Sequence, residues 1–270
     1  MNSRQHYLTA VLYFLSGLLG LLAFAAPFLL PALAVGGETA AHQADAPLVT
    51  TLLLMLCLAV LMVELQGQTV SAKMVSTLGI LVAITAVLRF VETAVPGPVG
   101  FSPIFAPILL SGYVFGPRFG FLMGSLSLLV SGLITGGIGP WLPYQMFACG
   151  WVGLTAGWLP HPTHHRWELG LLVGMGFFWG LAYGAIMNLY FWPYVTGGVW
   201  TWEPGLSWGK GFTRYAAFYG ATSLLWDASR GMGNAILLLA VGTPAIQALT
   251  RFRDRFQFQR IPLLEERDNP

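Results

Sequence analysis

Towards the C-terminal end of the chain, Tyr219, Ser223, Asp227, Arg230 and Asn234 follow one another at spacings of four, four, three and four. On a helix this spacing places all five on one stripe. Asp227 and Arg230 lie one turn apart and can pair. A second polar set, Thr85, Arg89 and Glu92, falls on one side of an earlier helical segment, because successive residues turn by about 100°. Gln145 and Asn188 add carboxamides that both donate and accept hydrogen bonds. Phe101, Trp141, Tyr144 and Trp192 are aromatic neighbours able to stack on a flat solute. Together these groups suit recognition of a polar, ring-bearing ligand; the alternative for Asp227–Arg230 is an internal ion pair that fixes the bundle. No catalytic role is expected. The chain has no HExxH, and no GxSG-type nucleophile elbow with a matched histidine. GLSWGKG departs from the P-loop spacing and lacks its hydroxyl. His161, His164 and His165 sit in a proline-containing turn read as a solvated loop, so neither a metal nor a cofactor is expected. Cys57 and Cys149 lie in apolar runs and read as small hydrophobes.

The elements that must carry these groups are membrane helices. The 270 residues are 56% hydrophobic and 9% charged, against roughly 25% charged in soluble domains. Apolar runs long enough to approach the ~20 residues of a helical span fall at 7–35, 47–65, 75–95, 101–115, 119–135, 141–159, 167–192 and 212–250. The last is read as one long helix whose first part lies on the membrane surface. The first is read as retained rather than as a signal peptide, since its run is too long and contains Pro27 and Pro31. The chain is thus expected to be an all-α integral membrane protein.

Between Pro96 and Pro160 the apolar runs alternate with Gly/Pro breaks: PGPVGFSP, GYVFGPRFG, TGGIGPWLPYQ and GWLPHPTHHR. Lipid tolerates such breaks only at its edge or where protein shields them. The basic C-terminal segment RFRDRFQFQR, Arg118, Arg166, Lys73 and Arg4 fall on one side if the spans alternate. The positive-inside rule then puts both termini in the cytoplasm. PGPVGFSP, TGGIGPWLPYQ and the Trp-rich FWPYVTGGVWTWEPGLSWGKG face outwards.

The helix carrying Arg89 has another side. Ser76, Gly79, Ala83 and Ala86 cluster a quarter-turn or more from the polar set, a small-residue face suited to close approach of a partner helix. Gly120/Gly124, Gly153/Gly157, Gly170/Gly174 and Gly180/Gly184 are further GxxxG pairs, read as internal packing.

Several of these strings resemble a known family. AVLRF, the stretch from PGPVGFSP through TGGIGPWLPYQMFACGWVGLTAGWLP, WGLAYGAIMNLYFWP and AFYGATSLLWDASRGMGNAILLL resemble the substrate-binding (S) component of energy-coupling factor (ECF) vitamin transporters, over about residues 73–253. The resemblance implies a six-helix substrate-binding core over 71–253, preceded by two additional transmembrane helices in 1–70 and followed by a cytoplasmic tail, 254–270. It implies a prokaryotic plasma-membrane protein that binds a vitamin or precursor from outside. Its partners would be a transmembrane coupling subunit and a pair of ATPase subunits, which accounts for the missing P-loop. On this reading Gly79 and Ala83 meet the coupling subunit. The other readings of the residues are an ion-coupled secondary transporter working through Asp227 or Glu92, and a non-transporting assembly protein.

Overall fold

The computed structural model describes residues 72–94, 101–139, 141–195, 198–203 and 205–254, together with parts of 11–28 and residues 52 and 55. The described residues are helical, with no strand among them. In order they form α1 (Ala72–Ala94), α2 (Phe105–Phe115), α3 (Pro117–Thr135), α4 (Leu142–Ala156), α5 (His165–Phe191), a 3-10 turn at Trp192–Tyr194, α6 (Trp208–Thr222) and α7 (Leu224–Asp254). By length and apolar composition α1, α3, α5 and α7 can each cross a membrane, and α2 is apolar but shorter. At 1.5 Å per residue α2 rises only about 17 Å, well below the ~30 Å hydrocarbon core. The expected span at 47–65 lies outside the described residues, apart from residues 52 and 55, as does much of that at 7–35.

Glycines determine how the helices meet. Gly116 has φ 96°, a conformation that L side chains rarely adopt, and it turns the chain sharply between α2 and α3. The two helices then fold back so closely that a Cβ at Gly120 would lie 2.7 Å from Gly112 Cα. α4 completes this three-helix unit. Gly120 meets Gly153, Gly124 meets Cys149 and Gly157 meets Pro117, all backbone on backbone. The partners run in opposite directions, so α3 and α4 are antiparallel. α5 and α7 form the other antiparallel pair, with Gly176 against Leu238, Gly180 against Gly231 and Gly184 against the Asp227 carboxylate. Internal packing therefore accounts for three of the four GxxxG pairs. A Cβ at Gly170 or Gly174 would meet nothing within 4 Å, so that pair faces outwards. Between the units lies a core that includes Phe105, Leu109, Met146, Phe147 and Leu238, all fully or almost fully buried.

The expected single helix over 212–250 is two helices, bent at Ser223 (φ −130°, ψ −25°). Thr222 Oγ1 donates to the Phe218 carbonyl at 2.8 Å and lies 3.1 Å from Ser223 Oγ. A threonine hydroxyl that bonds the carbonyl of the preceding turn favours such a bend without any glycine or proline. Tyr219 therefore sits on α6, and Asp227, Arg230 and Asn234 on α7, with the Tyr219 hydroxyl close to the Asp227 carboxylate across the bend.

The two ends of the bundle differ. At one end converge the C-terminal ends of α1 and α5 and the N-terminal ends of α2, α4 and α7; the next subsection describes the cavity there. At the other, Tyr113 donates its hydroxyl to Glu168 Oε1 at 2.9 Å, and His165 lies 2.9 Å from Glu168 Oε2 and 2.6 Å from Thr243 Oγ1. His161 stacks on the Tyr113 ring at 4.2 Å, and its Nε2 is 3.1 Å from the Tyr113 carbonyl. Arg253 donates to the Val114 carbonyl at 3.0 Å. The histidine turn is thus not simply solvated: His161 and His165 tie it to α2, α5 and α7. Among the described residues no cluster of three or more His, Cys, Asp or Glu could hold a metal ion.

Candidate substrate site at the convergence of five helices

Where the five helix ends converge they line a partly open cavity of about 290 Å³. α1 contributes Arg89, the segment leading into α2 gives Ser102, Ile104 and Phe105, and α4 gives Gln145. α5 supplies Tyr183, Gly184, Met187, Asn188 and Phe191, and the start of α7 supplies Ser223, Trp226, Asp227 and Arg230. A polar cavity can persist inside an apolar bundle only if its charges are paired and its dipoles bonded. Arg230 donates to Asp227 Oδ1 at 2.5 Å, and its guanidinium stands 5.4 Å from the centroid of the Tyr183 ring. Arg89 donates to Glu92 Oε1 at 2.8 Å, and Ser102 Oγ donates to the other oxygen of Glu92 at 2.9 Å. Glu92 is thus one bond behind the cavity wall, and it links α1 to the segment entering α2.

Asp227 is only 2% exposed. It lies in the first turn of α7, where the helix dipole favours a carboxylate. Its seat is Gly184, because a Cβ there would lie 1.8 Å from Oδ2. Only a glycine leaves room for the carboxylate against α5. Two buried polar atoms of the lining have no hydrogen-bond partner in the protein, Asp227 Oδ2 and Asn188 Nδ2. Native proteins rarely leave such atoms unpaired, and each costs about 1–3 kcal/mol. Both atoms are enclosed by protein, Oδ2 against Gly184, and a small turn of either side chain would present this acceptor or this donor to a polar solute in the cavity. Phe105 packs edge-on against Tyr183 at 5.0 Å, which supplies an aromatic wall beside them.

Residues 73–242 match the family described as ECF transporter, substrate-specific component. The chain belongs to that family. No curated protein and no solved structure matches the chain. It is accordingly a subunit of transporter type, built as a multi-pass membrane protein.

Of the residues that the sequence nominates for substrate, this S component brings Arg89, Gln145, Asn188, Asp227 and Arg230 to the cavity wall. Six lie elsewhere. Phe101 packs on α7 at Gly233. Trp141 is partly exposed and covers Gly139. Tyr144 is turned into a cluster with Phe24 and Tyr190. Tyr219 is off the lining but beside it: its hydroxyl donates to the Leu181 carbonyl at 3.3 Å and lies close to the Asp227 carboxylate. Asn234 is fully buried one turn beyond Arg230, and its Nδ2 donates to the Arg230 carbonyl at 2.9 Å. The helical stripe is real for Asp227, Arg230 and Asn234, but the cavity ends before its last member.

Trp192 lines a second, larger cavity of about 510 Å³ with Leu21, Phe24, Phe28, Trp202, Trp208 and Tyr215 among its neighbours. The indole of Trp192 donates to the Trp200 carbonyl at 2.8 Å, and Tyr215 donates to the Ala185 carbonyl.

The S component's small-residue face divides too. Ser76, Gly79 and Ala83 are exposed, and a Cβ at Gly79 would meet nothing within 4 Å. Ala86 is fully buried within the chain, because one further turn carries the stripe under its neighbours. Ala86 is therefore not available to a partner.

Sequence reasoning left Ser102, Phe105, Tyr183, Gly184 and Trp226 off the wall. Gly184 was visible only as half of a packing pair. Nothing local distinguishes Phe105 or Tyr183 from the other aromatic residues of an apolar chain.

Proposed function

We propose that this S component captures a vitamin or vitamin precursor from the outer side of a prokaryotic plasma membrane for ATP-driven uptake. A separate coupling subunit and a pair of ATPase subunits would supply the energy. The observation that carries the reading is the polar cavity at one end of the bundle, opposite the end that bears Arg251 and Arg253. Positive residues flanking membrane helices favour the cytoplasmic side, so the cavity faces outwards in this orientation. The core at 71–253 holds the ligand.

The exposed Ser76, Gly79 and Ala83 face is the candidate contact with the coupling subunit, since small residues let helix backbones approach closely. It lies on the same helix as Arg89 but on a different side. Binding and coupling are therefore separable. Gly79→Leu with Ala83→Leu should leave ligand affinity within about twofold and abolish ATP-dependent uptake by reconstituted vesicles, measured beside co-purification of the coupling subunit. Uptake at the wild-type rate in vesicles lacking any ATPase would instead favour an ion-coupled carrier.

A further inference from the structure

Resting on the transporter reading, we infer that the ligand is a compact solute without negative charge that carries a hydrogen-bond donor beside an acceptor, as a ring carboxamide, lactam or cyclic ureide does.

Charge is the first argument. The cavity wall has two cations, Arg89 and Arg230, and each already faces a carboxylate, Glu92 at 2.8 Å and Asp227 at 2.5 Å. The wall therefore offers no uncompensated positive charge to a phosphate ester or a carboxylate. An anion would have to draw a guanidinium from its partner and would then lie close to that partner. Breaking a buried pair in this way leaves an uncompensated charge, the costly outcome.

Hydrogen bonding is the second. The atoms left open are one acceptor, Asp227 Oδ2, and one donor, Asn188 Nδ2. Asp227 stands on α7 and Asn188 on α5, and these two helices pack against each other. With a small turn of each side chain towards the cavity, a ligand edge carrying N–H beside C=O completes both, whereas an acceptor-only edge satisfies Asn188 and opposes Asp227. Gln145 adds a second carboxamide of the same dual character.

Size and shape are the third. A cavity of about 290 Å³ holds about ten waters at roughly 30 Å³ each. That admits one small ring system with short substituents, and the bulk of any larger solute would have to extend out through the open side. Phe105, Tyr183 and Trp226 give the ring apolar faces to lie against.

The test uses full-length protein in lipid nanodiscs near neutral pH and three matched pairs: nicotinamide and nicotinate, uracil and orotate, pyridoxine and pyridoxine 5′-phosphate. Within each pair the ring is kept and the net charge changes. Thermal midpoint and calorimetric Kd are read for wild type, Asn188→Ser, Asn188→Leu and Asp227→Asn. At least one neutral member is expected to raise the midpoint and to bind at least about tenfold more tightly than its anionic partner. Its affinity should fall about tenfold or more in Asn188→Leu and Asp227→Asn, with the unliganded midpoint and Asn188→Ser separating lost recognition from lost folding. Tighter binding by an anionic member, equal binding within every pair, or binding by no member overturns the inference. An anionic member that binds and enters vesicles only with ATP and the partner subunits overturns this ligand class while the transporter reading stands. A neutral member that binds at this site yet never enters in an ATP-dependent way overturns the transporter reading instead.

Discussion

The molecule has two cavities near the same end of α5, and they are built on opposite principles. The smaller, about 290 Å³, is walled by ion pairs and carboxamides, with aromatic rings between them. The larger, about 510 Å³, is walled mainly by Leu, Phe and Trp, with Glu203 and Ser207 as its polar side chains apart from the Trp and Tyr tips. Of the two, Glu203 is already engaged by Arg214 at 3.3 Å. Volume alone would rank the apolar cavity first. Specificity, however, comes from a few placed polar groups that are costly to leave unpaired, and the open buried atoms Asp227 Oδ2 and Asn188 Nδ2 belong to the smaller cavity. Aromatic residues such as Trp192 and Trp208 are also what a membrane interface selects on its own account. The difference teaches that in an apolar chain the polar minority, not the available space, marks the candidate recognition site.

Three substitutions test that contrast, taken from the largest expected effect. Asp227→Ala removes one partner of a largely buried ion pair and leaves Arg230 uncompensated. It should abolish ligand binding in titration calorimetry and cost on the order of 3 kcal/mol in stability, read as a lower thermal midpoint. Gly184→Ala forces the carboxylate off its seat. About 1–3 kcal/mol is expected for such overpacking, with ligand affinity reduced more than tenfold and the apolar cavity unaltered. Trp202→Ala truncates a wall of the larger cavity and breaks the edge-on contact with Phe28 at 5.6 Å. It should leave ligand affinity within about twofold and cost about 1 kcal/mol or less, the scale of an aromatic pair. Were Trp202→Ala to weaken binding as much as Gly184→Ala, the division of labour between the cavities would collapse.

The charged part of the site was legible in the sequence for the same reason. Arg89, Asp227 and Arg230 stand out because ionisable groups inside apolar runs are rare and expensive. Gln145 and Asn188 stand out beside glycine and aromatic breaks. The helical architecture was legible from apolar runs and from glycines at four-residue spacing. Other features were not. The bend at Ser223 depends on a threonine hydroxyl bonding the local backbone, a choice that Thr222-Ser223 in a long apolar segment does not announce. Phe101, Trp141, Tyr144 and Trp192 were drawn towards the ligand by their type, but which way an aromatic ring points is decided by packing against distant segments. Tyr144 turns to Phe24 and Tyr190, while the unremarked Tyr183 supplies the cavity wall. Ala86 was placed with its stripe by helical phase, and phase cannot tell where neighbouring helices cover that stripe.

The glycine seams have a mechanical meaning. Between α3 and α4 the contacts at Gly120, Gly124, Gly153 and Gly157 are backbone against backbone, and main chain has no rotamers with which to yield. Those two helices respond to load as a single stiff plate. Along α5 and α7 the seam has the same character at Gly180 and Gly231, but four residues further along it closes on the Asp227 side chain instead. A carboxylate can swing about two torsions where a carbonyl cannot. The compliance of the binding end is therefore concentrated at one spacer, and whatever engages Asp227 also sets the gap between the two helices beside it.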